Sequence, residues 1–100
     1  MAFQVILSAV ALKELEASVD WYNARQDGLG TRFIEALDDR LLLLSETPYI
    51  FPVKLSGYNE ALIEKFPYLI VYKIIKKGKK VRVLHIFHTK RNPGVKNKQN

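Results

Sequence analysis

Tyr58-Asn59-Glu60-Ala61-Leu62-Ile63-Glu64-Lys65-Phe66-Pro67-Tyr68-Leu69-Ile70-Val71-Tyr72-Lys73, then a lysine turn, then Val81-Arg82-Val83-Leu84-His85-Ile86-Phe87-His88, makes three strand-like runs in succession. The runs are Ala61–Lys65, Tyr68–Ile75 and Val81–His88, with a turn at Pro67, where the missing N–H interrupts a ladder. Lys76-Lys77-Gly78-Lys79-Lys80 carries glycine at its centre and reads as a hairpin loop. Strict alternation along the last run puts Val81, Val83, His85 and Phe87 on one apolar face, with Arg82, Leu84, Ile86 and His88 on a mixed one. His85 is then expected in the core and His88 at the strand end.

Upstream the periodicity changes. Phe3, Val5 and Leu7 alternate with Gln4, Ile6 and Ser8 and suit a first strand. Ser8 is placed to cap a helix whose stripe is Leu12, Leu15, Val19 and Tyr22, ended by Asp27-Gly28. A second helix starts near Leu29, shows Phe33, Leu37, Leu41 and Leu44 on one side, and stops before Pro48. Two helices joined by a short glycine turn make an antiparallel hairpin. The expectation is α+β, in the order β-α-α-β-β-β, with the helical hairpin packed on one face of a mainly antiparallel sheet. The leucines Leu41 to Leu44 and Trp21 are read as packing residues. Residues 1–92 form one domain, and 93–100, poor in apolar residues, form a flexible tail.

Charge is divided as sharply as secondary structure. Up to residue 50 there are 4 basic and 8 acidic residues; beyond it there are 12 basic and 2 acidic, so a −4 half is joined to a +10 half, giving the net +6. Such asymmetry points to a polyanion or an acidic protein segment as partner. With no cysteine, disulfides, thiolate metal sites and cysteine nucleophiles are excluded, and two histidines argue against structural zinc. No metal or cofactor is expected. The run Phe3–Leu12 lacks a basic start and is followed at once by Lys13-Glu14, so it is not a secretory signal, and no stretch is long enough to span a bilayer. The chain is expected to be cytoplasmic, with no membrane partner.

These features together resemble the RelE/ParE superfamily of toxin–antitoxin toxins. The resemblance is carried by the N-terminal strand, Ala11 and Leu15 with Trp21-Tyr22, and Gly28-Leu29-Gly30 followed by Phe33. It continues through Pro48, Pro52, Tyr58 with Ala61-Leu62, Phe66-Pro67-Tyr68 and Val71-Tyr72, and closes on His88-Thr89-Lys90-Arg91-Asn92-Pro93, similar to the family's His-x-x-Arg-Asn/Asp-Pro ending. It implies the plasmid-stabilisation type of toxin, a growth inhibitor neutralised by a cognate antitoxin whose tail wraps it. A homodimer or a toxin–antitoxin hetero-oligomer would be the assembly. RelE-like members cleave messenger RNA in the ribosomal A site; ParE-like members inhibit DNA gyrase.

RNA cleavage by a 2′-hydroxyl needs a base, an acid and cations for the developing phosphorane charge. By resemblance the candidates are His88 as base or acid, Arg91 and Arg82 for the phosphate, Lys54 and Lys65 as auxiliary cations, and Tyr68 or Tyr72 to stack on a base. Two departures count against it. Where many relatives carry arginine after the tyrosine, Tyr58 is followed by Asn59-Glu60, and the strand from Tyr68 to Ile75 offers Lys73 but no arginine. The expectation is therefore ParE-like inhibition of gyrase, with RelE-like mRNA cleavage as the alternative and a degenerate member that only binds its antitoxin as a third. The antitoxin segment is expected on the basic sheet side, with Leu69 or Ile86 supplying pockets; the Lys76–Lys80 loop would touch ribosomal RNA or be a solvated hairpin.

Overall fold

The structure, a computed structural model, describes residues 2–90. Strand β1 (Gln4–Leu7) leads into helix α1 (Ala9–Arg25) and helix α2 (Leu29–Glu46), then a single 3-10 turn at Pro48–Ile50. Strands β2 (Asn59–Leu62), β3 (Tyr68–Ile75) and β4 (Lys80–His88) complete the chain. The sheet order is β1-β4-β3-β2, antiparallel except for β1, which runs parallel to β4. The expected element order and class are therefore present. The segment Ile63–Lys65, expected to extend the first of the three strands, instead leaves the ladder, and Lys65 turns the chain with φ 71°. Arg91 and residues 93–100 lie outside the described residues. Among those described, no helix is long and apolar enough to cross a membrane.

Local chemistry explains the helical hairpin. Ser8 caps α1, its Oγ accepting from Ala11 N–H at 3.0 Å and donating to Leu84 O at 3.0 Å, so one hydroxyl starts the helix and ties it to β4. α1 ends at Arg25, two residues before the expected Asp27-Gly28 stop. Gly28, at φ 84°, belongs instead to the start of α2, where the left-handed backbone that glycine tolerates reverses the chain. Gly30 lets the helices meet, because a Cβ there would lie 2.6 Å from Asn23 Oδ1, which accepts the Gly30 N–H at 2.9 Å.

The core lies between this hairpin and one face of the sheet. Phe33, Leu37 and Leu44 of α2 are buried, as is Tyr22 of α1. Leu15 and Val19 pack against the core as expected of the α1 stripe, but Leu12 is 48% exposed, and Ala11 and Ser18 are buried instead. Tyr22, Phe33, Phe66 and Tyr68 form an aromatic cluster with ring centroids 4.7–5.9 Å apart. Tyr72 is fully buried and donates its hydroxyl to Pro48 O at 2.7 Å, fastening the sheet to the end of the helical layer.

Candidate functional site

The face of the sheet turned away from the helices is where function has room. Its composition is set by a β-bulge in β4. Tyr72 pairs with Val83 and Val71 with His85, so Leu84 is an extra residue without a β3 partner. Before the bulge, Val81 and Val83 point into the core; after it, Ile86 does, and His85 and Phe87 are shifted to the outer face. His85 is thus not the core histidine that alternation implied. Its side chain is 33% exposed, and its Nδ1 lies 3.4 Å from the Glu14 carboxylate.

Glu14 also accepts the Ile86 N–H at 2.9 Å. β1 covers the outer edge of β4 only as far as Val83, so past that point a carboxylate from α1 takes the place of a neighbouring strand. The result is a rigid support for His85, contributed by residues 71 apart in sequence. No local signal in the sequence predicts Glu14; the bulge has a faint one, since the apolar alternation of Val81-Arg82-Val83 breaks down at Leu84-His85-Ile86-Phe87.

Next to His85 the loop before β2 folds over the sheet. Tyr58 packs on Leu69, Val71 and Phe87, a small second apolar cluster. Ser56 orders the loop, its Oγ donating to Glu60 at 3.3 Å and accepting the Tyr58 N–H at 3.3 Å. Between loop, bulge and helix start lies a cleft of about 490 Å³ lined by Ser8, Val10, Ser56, Tyr58, Val71, Leu84 and His85. Its lining combines apolar side chains with hydroxyls and an imidazole. Among the described residues, no lysine or arginine lines it. Asn59, the residue after Tyr58, is buried and donates to Phe51 O at 2.7 Å, so it holds the loop rather than facing outward.

The residues expected to act together are dispersed. His88 pairs with Tyr68 across the strands, its ring edge-on to that tyrosine at 5.3 Å on the helix side of the sheet, and its Nδ1 accepts the Lys90 N–H at 3.0 Å. Arg82 is exposed on the opposite face beside Lys73, roughly 20 Å along the same strand at about 3.3 Å per residue. Lys54 is exposed in the loop before β2. Lys65 borders a separate trough of about 770 Å³ against α2, where Arg32, Arg40 and Lys65 are matched by Glu35, Asp39 and Glu64. Equal numbers of both signs give that trough no net pull on a phosphate.

Tyr68 and Tyr72 are 1% and 0% exposed, so neither ring is presented for base stacking, and burial pushes the Tyr72 phenol up from 10.0 to about 12. Leu69 and Ile86, expected as antitoxin pockets, are likewise buried. The periodicity that marks these residues as strand does not say that both faces of the strand will be covered.

Known proteins frame these observations. No curated protein sequence matches the chain significantly. A chain of the chromosomal ParDE toxin–antitoxin system from P. aeruginosa superposes with a TM-score of 0.74 at 15% identity, covering 87% of this chain and 96% of its own. A chain of the intact E. coli RelBE toxin–antitoxin complex superposes at 0.67 with 26% identity, covering 90% and 100%. The free E. coli toxin RelE, as a mutant, gives 0.69 at 23% identity, covering 96% and 93%. Residues 5–93 match the family described as "ParE toxin of type II toxin-antitoxin system, parDE". Nine-tenths of the chain thus falls within one family definition, and the protein belongs to the ParE toxin family of type II toxin–antitoxin systems.

Proposed function

We propose that this toxin arrests growth by binding DNA gyrase, not by cutting RNA, and that a cognate antitoxin neutralises it. The observation that carries this reading is the dispersal of the nuclease candidates. His88 and Arg82 project from opposite faces of the sheet, and among the described residues no lysine or arginine lines the cleft beside His85. A phosphorane-like transition state needs positive charge within hydrogen-bonding reach, and a cleft of serines, a tyrosine and apolar side chains does not supply it. Glu60, on the strand beside this loop, adds a negative charge nearby.

A target-binding toxin requires surface instead of a catalytic constellation. Tyr49, Ile50, Val53 and Leu55, between α2 and β2, are all more than half exposed, an apolar ribbon of the kind that partner proteins cover. An antitoxin is the partner this membership supports, since the ParDE and RelBE structures are toxin–antitoxin systems.

One arrangement favours the other activity. His85 held by Glu14, with Tyr58 and Ser56 across the same cleft, is an oriented imidazole beside hydroxyls, as a general base would need. The deciding experiment treats gyrase supercoiling and cell-free translation with the same purified toxin, with and without antitoxin. Inhibition of supercoiling with intact mRNA supports gyrase as target. Discrete codon-phased cuts in mRNA with normal supercoiling overturn it and move attention to His85.

A further inference from the structure

We propose that the β3–β4 hairpin is a binding surface for the phosphate backbone of duplex DNA, separate from the cleft beside His85. Lys73, Lys76, Lys77, Lys79, Lys80 and Arg82 fall within ten consecutive positions, and no acid occurs anywhere between Lys65 and Lys90. The register gathers them. Lys73 faces Arg82, Ile75 faces Lys80, and the remaining three lysines sit in the four-residue turn, all six being exposed. Among the described residues none of the six has an acid within ion-pairing distance. Like charges placed so closely repel one another, and that repulsion is relieved when a polyanion binds.

The turn is also held in shape. Gly78 and Lys79 both have positive φ, at 84° and 52°, and lysine is a costly residue for the left-handed region. Lys79 is buttressed there: its carbonyl accepts the Gln4 N–H at 2.8 Å, and its ammonium lies 5.8 Å from the Phe3 ring. Point charges carried on an ordered turn suit contact with backbone phosphates. Single-stranded nucleic acid asks in addition for aromatic platforms, and the hairpin's aromatic residues, Tyr68, Tyr72 and Phe87, are buried. Contact with phosphates carries no base readout, so binding confined to the backbone is independent of sequence.

The test follows anisotropy of a labelled blunt duplex across a salt series, using the whole chain and two variants of equal charge change. Lys76→Gln with Lys77→Gln alters the tip; Lys13→Gln with Arg32→Gln alters exposed positions on the helices. Losing two phosphate contacts should lower the slope of log affinity against log salt by about 1.8, or roughly 60-fold in affinity at about 0.1 M salt. The helix variant should change affinity by less than about 3-fold. Equal losses in both variants would reduce the effect to net charge and sink the proposal. Absence of salt-dependent binding would do the same, as would poly-glutamate displacing the duplex at equal charge concentration, which would make the tip an acidic-peptide surface.

Discussion

The two faces of one sheet obey different rules. Against the helices, Tyr68, Ile70, Tyr72, Val81, Val83 and Ile86 are nearly or wholly inaccessible and meet a fixed aromatic cluster. Away from the helices, the same strands carry Lys73, Lys80 and Arg82 in the open, with a patch of Leu69, Val71 and Phe87 roofed by Tyr58. The first face is constrained by packing density, where each lost methylene leaves a void. The second is constrained by charge and access, so it can differ between relatives of one fold without unfolding any of them. That contrast places the packing that holds the fold on one side of a single layer and the exposed charge on the other.

The largest effect that would test the contrast is at the aromatic centre. Phe33→Ala should lower unfolding free energy by about 3–5 kcal/mol in urea titration, because the ring is fully buried among three others. A loss below about 1 kcal/mol would mean the cluster is looser than its geometry. Glu14→Ala sits on the seam between the faces and should cost about 1–3 kcal/mol, since it strands the Ile86 N–H. The same variant frees His85, so slowed hydrogen exchange at Ile86 in the parent protein should disappear.

Tyr72→Phe should cost about 1 kcal/mol near neutral pH by removing the bond to Pro48 O. Its pH dependence is more telling. The folded phenol titrates at about 12 against 10.0 when exposed, so the folded state holds the proton more tightly. The stabilising contribution is complete below about pH 10 and is lost as pH rises toward 12, roughly 2–3 kcal/mol in all. Thermal melts of the phenylalanine variant should lack this part of the alkaline decline. Arg82→Ala should produce the smallest change, within about 0.5 kcal/mol in stability. A large loss there would show that the outer face is structural after all.

Much of the architecture could be read from residue patterns because it rests on local chemistry. Ser8 caps its helix as its position implies, Gly28 and Gly30 make the hairpin, and Tyr68–Ile75 is a strand over its expected length. Less of the candidate site was legible. Alternation assigned His85 to the core and could not anticipate a bulge that depends on how β3 and β4 align. It placed Tyr68 and Tyr72 in strands correctly, yet a strand residue can serve either face, and both turned inward. Residue pattern reads Glu64 and Lys65 as strand, where a turn stands with Lys65 in the left-handed region.

The linear chain by itself determined the order of elements, the helical hairpin, the charge division and the family, because each depends on spacing and residue type within a few turns or strands. Only the tertiary structure decided which histidine reaches the open face, that Glu14 supports it, and that His88 and Arg82 are kept apart. Those outcomes depend on register between strands and on contacts across about 70 positions, such as Glu14 with His85 and Ser8 with Leu84. A one-residue change of register inverts every side chain that follows it, and the faint break in alternation at Leu84-His85-Ile86-Phe87 does not fix where that change occurs.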